Sequence, residues 1–132
     1  MRQNFKDWSS PKIEHNQLTP WNWMVAHPKN LELGKYVDIG AFTYINAAHG
    51  ITIEDEVQIG SHCSVYTEST IDNTKGSIKI RKNARIGTHS TIMPGVEIGE
   101  NAIIGAHSFV KDNVPADTTA FGVPAKRDLE KY

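Results

Sequence analysis

The sequence predicts an all-β fold: a triangular parallel β-helix of about four coils, with two corner loops and irregular terminal caps. Three observations predict it. An aliphatic residue recurs at every sixth position, glycine recurs in the slot after it, and the two breaks in register fall at the same place in the pattern.

The repeat runs through Leu33, Ile39 and Ile45, then Ile53, Ile59 and Val65, then Ile80, Ile86, Ile92, Ile98, Ile104 and Val110. Leu, Ile and Val make up roughly a quarter of ordinary sequence, so chance rarely yields such a run. Two residues before each stands a small or apolar residue, from Leu31 and Val37 to Ala102 and Ser108. This period matches neither an amphipathic helix nor a long alternating strand. It matches a short strand with one strong inward residue, followed by a turn. Gly34, Gly40, Gly60, Gly87, Gly99 and Gly105 share the slot after the aliphatic residue, which suits a turn needing permissive backbone angles. Three hexads make one triangular coil. Coils stack at the strand spacing of about 4.8 Å, and their aliphatic columns form a core that no single repeat could bury.

Eight residues separate Ile45 from Ile53, and fifteen separate Val65 from Ile80. With hexads grouped in threes, both insertions follow the third face of a coil and project from one corner, one coil apart. The first is residues 47–50. The second is roughly residues 68–77, with Asp72, Asn73 and Gly76 as turn formers. Pro94 and Gly95 make a plain turn at the equivalent place. Residues 1–30, which hold Trp8, Trp21 and Trp23, form an N-terminal cap that covers the first coil or packs on a neighbour. Residues 31–113 are the β-helix. Residues 114–132 are a C-terminal cap and a charged tail suited to a short helix. The whole is one domain.

The 132 residues carry fourteen Lys plus Arg against fifteen Asp plus Glu, a net charge of −1. That balance gives no basic footprint for nucleic acid. No apolar run approaches the roughly 20 residues of a membrane span, and residues 1–10 lack the pattern of a signal peptide. The single cysteine, Cys63, permits neither an intramolecular disulfide nor a cysteine-based zinc cage. Its inward slot predicts a buried structural thiol. A reducing cytoplasm fits.

The aliphatic-glycine hexads, the stretch from Ile86-Gly87-Thr88-His89 through Met93-Pro94-Gly95-Val96 to Ile98-Gly99, and the ending Gly122-Val123-Pro124-Ala125-Lys126 resemble the hexapeptide-repeat acyltransferases. The resemblance covers about residues 31–127 and implies a left-handed parallel β-helix. It further implies a homotrimer, with acetyl-CoA as acyl donor in the groove between subunits and a small-molecule sugar acceptor beside an inserted loop. Sugar O-acetyltransferases and nucleotide-amino-sugar N-acetyltransferases are both similar. Ile45-Asn46-Ala47-Ala48-His49-Gly50 followed by Ile71-Asp72-Asn73 looks closer to the amino-sugar group. The same fold also carries carbonic anhydrases and non-catalytic members, so a metal-dependent hydratase and a trimeric scaffold remain alternatives. Those carbonic anhydrases use two histidines five apart, a spacing absent here, and no metal is expected.

Acyl transfer needs a donor pocket, donors to a developing oxyanion and a route for the acceptor's proton. His49, flanked by Ala48 and Gly50 in the first loop, is the candidate catalytic base; its plainer reading is a surface histidine. Many sugar acetyltransferases place the base one coil later, where this chain has Tyr66-Thr67-Glu68-Ser69-Thr70 and no histidine. Either His49 has taken the role or no side chain has. The second case favours an amine acceptor, which reacts without a strong base once neutral. By resemblance, Thr88, Ala106 and Lys126 contact the donor, with Lys111 a further candidate. Backbone amides near Gly87–Thr88 or Gly105–Ala106 hold the oxyanion. Glu68 and Asn73, with Asp72, either bind the sugar or shape the second loop. His62, His89 and His107 each follow a second-face aliphatic residue by three positions, so they stack at one corner below Phe42.

Overall fold

A computed structural model describes residues 8–128. Short strands wind round three faces. The first face holds β2 (Leu31–Leu33), β5 (Ile51–Ile53), β10 (Ile78–Ile80) and β13 (Glu97–Ile98). The second holds β3 (Asp38–Ile39), β6 (Gln58–Ile59), β11 (Arg85–Ile86), β14 (Ile103–Ile104) and β16 (Thr119–Gly122). The third holds β1 (Met24–Ala26), β4 (Tyr44–Asn46), β7 (Ser64–Tyr66), β12 (Thr91–Ile92) and β15 (Phe109–Val110). Pairing between coils is parallel, and like residues stand over like: Ile39, Ile59, Ile86 and Ile104 form one column, and Val25, Ile45, Val65, Ile92 and Val110 another. The chain is a left-handed β-helix of about five turns.

The hexads alone count four coils. The fifth turn comes from segments outside the repeat. β1 continues the third face upward, and Val114 with β16 continues the first and second faces downward. Trp23 is buried above the first coil, Trp8 donates its indole N–H to Val37 O at 3.1 Å, and Trp21 is exposed. The N-terminal segment therefore closes the top of this same chain. At the other end β17 (Ala125–Arg127) folds back antiparallel on β16; the short helix expected for the charged tail beyond Lys126 falls largely on residues outside the described ones. Residues 129–132 of the charged tail and 1–7 of the leader reading lie outside the described residues. Among the described residues no helix is long and apolar enough to cross a membrane.

All the hexad aliphatics from Ile39 to Val110 are buried, and only Leu33, on the top coil, is partly open. The glycines correct the sequence reading. None of the six hexad glycines has a positive φ; the left-handed residue is the second one of each corner, such as Phe42 (φ 65°), His62 (56°), His89 (61°) and His107 (59°). That conformation turns the corner N–H toward the neighbouring coil: His89 N donates to Ser61 O at 3.0 Å, and His107 N to Thr88 O at 2.9 Å. The hexad glycine is instead forced by close approach. A Cβ on Gly87 would lie 2.5 Å from Ala106 N, and one on Gly60 2.7 Å from Thr88 N.

The inward slots of the second-to-third-face corner are Thr43, Cys63, Ser90 and Ser108, all buried. Their role is polar as well as steric. Thr43 Oγ1 donates to Gly60 O (2.8 Å), Cys63 Sγ to Gly87 O (3.3 Å) and Ser90 Oγ to Gly105 O (3.1 Å). Each satisfies a corner carbonyl that the strand ladder cannot reach. Burial pushes the Cys63 thiol pKa up, as expected for a structural thiol.

Candidate functional site

The two insertions stack at the corner between the third and first faces. The first is a tight turn carrying His49, with Gly50 at φ 95°. The second is a hairpin of β8 (Glu68–Ser69) and β9 (Thr74–Lys75). Asn73, at its tip, adopts φ 56°, and the Asp72 carboxylate accepts the Thr74 hydroxyl at 2.9 Å. Hydroxyl hydrogen bonds from Ser69 and Thr74 hold the Asp72 carboxyl pKa below its usual value. Both residues thus shape the hairpin, and both are solvent-exposed beside Ile71, which is 99% exposed.

Stacking brings His49 and Glu68 together. His49 Nε2 lies 2.9 Å from Glu68 Oε1, with the side chains 37% and 32% exposed. A carboxylate can only accept, so in the neutral imidazole the Nε2 carries the proton and Nδ1 presents a lone pair. The hydrogen is placed by that chemistry. The loop backbone is held in turn: His49 N–H donates to Thr67 Oγ1 (3.0 Å), Ala48 N–H to Asn46 Oδ1 (3.0 Å), and Asn30 Nδ2 to Ala48 O (3.2 Å). The sequence reading had Glu68 either binding the sugar or shaping the second loop, and gave Thr67 and Asn30 no role. The sequence signalled only that the loops are neighbours, since two loops leaving one corner of successive coils must lie on each other.

The expected donor residues lie elsewhere. Thr88 and Ala106 occupy the first positions of successive turns at the second-to-third-face corner, one coil apart. Lys126 pairs with Phe121, which packs over Gly105, so it joins the same corner. The ladder amides of Gly87 and Gly105 are spent on Ile104 O and Ala120 O. The Thr88 and Ala106 amides carry no hydrogen bond among the described residues. A groove lined by Gln58, Arg85, Gly87, Thr88 and Ile103 runs along the adjoining second face. Lys111 is not part of this group. It follows β15, lies toward the loop corner, and pairs with Asp112 at 3.1 Å.

The histidine column stacks as its register required. Ring centroids are 4.7 Å apart for His62–His89 and 4.8 Å for His89–His107, with Phe42 5.3 Å above His62. His89 Nδ1 lies 2.8 Å from Thr88 Oγ1. Among the described residues, no three His, Cys, Asp or Glu side chains are grouped to hold a metal ion.

Known proteins share this architecture. Residues 77–112 match the family model for bacterial transferase hexapeptide (six repeats). A serine acetyltransferase from Buchnera aphidicola subsp. Acyrthosiphon pisum is 37% identical over 94 residues, covering 67% of this chain and 34% of its own length. The chain thus spans about a third of that relative. A hexapeptide-repeat acetyltransferase from Vibrio cholerae superposes with a TM-score of 0.75 at 29% identity, over 80% of this chain and 65% of that one. The same Vibrio protein has been solved with acetyl coenzyme A. The S84A mutant of AntD, an N-acyltransferase from Bacillus cereus solved with dTDP-4-amino-4,6-dideoxyglucose and coenzyme A, superposes with a TM-score of 0.58 at 27% identity, over 81% of this chain and 69% of that one. Repeat, coil geometry and these similarities identify the chain as a left-handed β-helix protein of the hexapeptide-repeat family, similar to its acyltransferases.

Proposed function

We propose that the protein is an acetyl-CoA-dependent acyltransferase that acetylates the amino group of a nucleotide-linked sugar in the cytoplasm. The observation that carries this reading is the His49–Glu68 pair, an imidazole with one nitrogen engaged by a carboxylate and the other presenting a lone pair at an exposed corner. The amine lone pair attacks the thioester carbonyl. The Thr88 or Ala106 amide receives the oxyanion, and His49 Nδ1 takes the proton the nitrogen sheds. The C–S bond then breaks, and the imidazolium returns that proton to the departing thiolate. Glu68 stabilises the transient imidazolium and fixes the ring. Lys126 faces the phosphates of the donor.

His49 and Thr88 occupy different corners of one chain, separated by the third face. A single subunit therefore offers base and donor site apart. Setting the loop corner of one copy against the histidine corner of the next joins them, and repeating that heterologous contact closes a ring. A homotrimer is the assembly proposed, with the exposed Phe42–His107 column at its contact.

Calorimetric titration with acetyl-CoA tests the donor, with saturation near one per chain expected. Acetyl transfer to dTDP-4-amino-4,6-dideoxyglucose, and to hydroxyl acceptors in parallel, tests the acceptor. His49→Ala is expected to lower turnover about 10²-fold or more with acetyl-CoA binding kept. Glu68→Gln is expected to lower it less, since Gln still accepts from Nε2 but carries no charge. Unchanged turnover in His49→Ala removes the base from this reading.

A further inference from the structure

One side chain touches both halves of the loop corner. Thr67 is 0% exposed and immediately precedes Glu68. Its backbone closes the base of the hairpin, where Gly76 N–H donates to Thr67 O at 2.9 Å. Its hydroxyl reaches the other loop, donating to Asn46 O at 2.8 Å and accepting the His49 N–H at 3.0 Å. The same residue therefore anchors the backbone on either side of the His49–Glu68 contact.

We infer that Thr67 is a positioning residue, whose hydroxyl holds the His49 backbone where its imidazole meets Glu68. The two bonds of the hydroxyl are unequal in consequence. Asn46 O also accepts the Thr67 N–H, at 3.1 Å, and keeps that bond if the hydroxyl is lost. The His49 N–H has Thr67 Oγ1 as its partner and would be left without it. Removing the hydroxyl thus acts selectively on His49. This differs from Thr43, Ser90 and Ser108, whose hydroxyls serve carbonyls at another corner and touch neither loop. A part-buried amide that loses its acceptor seeks another, and the tight turn shifts to find one, which carries the imidazole off Glu68.

The catalytic consequence rests on the reading of His49 as base; the geometric one does not. The test therefore has two arms on the full chain. Imidazole ¹⁵N signals of His49 are recorded at one neutral pH in the wild type, Thr67→Ser, Thr67→Val and Glu68→Gln. Val matches the shape of Thr without the hydroxyl, and Ser restores it. The expected result is a wild-type His49 signal in Thr67→Ser and a shift toward the Glu68→Gln signal in Thr67→Val. The His62, His89 and His107 signals should not move, and so report that the solenoid is intact. In the second arm, transfer from acetyl-CoA to dTDP-4-amino-4,6-dideoxyglucose is expected to lose about tenfold or more in kcat in Thr67→Val. KM for acetyl-CoA should hold, and Ser should restore the rate. A wild-type His49 signal in Thr67→Val overturns the inference, as does a disturbance shared by all the histidines. If His49→Ala transfers normally in the same assay, the base reading fails, and the positioning of His49 is decided by the imidazole signals.

Discussion

Gly87→Ala isolates the reason for glycine in the hexad. Gly87 has an ordinary φ, so alanine meets no conformational penalty there. The added Cβ would lie 2.5 Å from Ala106 N, 2.8 Å from Ala106 Cα and 2.9 Å from Gly105 C. Comfortable contacts are about 3.5–4 Å, so the two coils must part by close to 1 Å at this corner. They are tied by Gly87 N to Ile104 O at 2.8 Å, His107 N to Thr88 O at 2.9 Å and Thr91 N to Ser108 O at 2.9 Å. The obstructing atoms are backbone and cannot rotate away. Overpacking of this kind costs about 1–3 kcal/mol, and rigid neighbours put Gly87 at the upper end. Stiffening the unfolded chain returns about 0.4–1 kcal/mol, for a net loss near 2 kcal/mol. In a domain of this size that is a fall in Tm of roughly 6–12 °C. The control is Gly95→Ala. Gly95 has φ 83° and nothing within 4 Å of its added Cβ, so alanine there meets only the left-handed penalty of about 1–2 kcal/mol, less the same entropic return. Calorimetric or circular-dichroism melting of both variants decides. A Gly87→Ala loss no larger than that of Gly95→Ala would refute close approach as the cause.

Other expectations follow from the same geometry. Ile80→Ala should cost roughly 2–5 kcal/mol by urea unfolding, because Ile80 is fully buried in the column between Ile53 and Ile98. Cys63→Ser should change stability by less than about 1 kcal/mol, since a serine hydroxyl can take over the donation to Gly87 O. The raised Cys63 pKa predicts that alkylation of the native protein sets in at higher pH than for an exposed cysteine, measured by mass spectrometry against an unfolded control. The depressed Asp72 pKa means the unfolded chain binds that proton more readily. Its stabilising effect is therefore present above the unfolded value and lost as pH falls through the folded one. Asp72→Asn should flatten the acid limb of the Tm–pH curve below about pH 4.

The site was partly legible beforehand. The shared corner of the loops followed from counting residues between hexads, and so did the column of His62, His89 and His107. That His49 would reach Glu68 did not follow, because a loop's direction depends on hydrogen bonds such as those of Thr67 and Asn30, made with residues about twenty positions away. Lys111 was a further donor candidate by family resemblance, and resemblance does not tell which corner of the chain a residue occupies; in this chain it lies toward the loop corner.

What the sequence by itself determined is the solenoid. A strict six-residue period with an aliphatic residue in one slot has a single way to bury every repeat, and local periodicity suffices to specify it. What only the tertiary structure decided lies in contacts between coils. Five of the six hexad glycines answer to the backbone of the next coil, and Gly105 to the Phe121 side chain, rather than to their own torsions. Thr43, Cys63, Ser90 and Ser108 look like small fillers until the carbonyls beneath them appear. The fifth turn is built from segments with no repeat, recruited because exposed strand edges and the Trp23 ring find partners there. A sequence records which residues recur along the chain; which atoms they meet one coil away depends on how the coils stack.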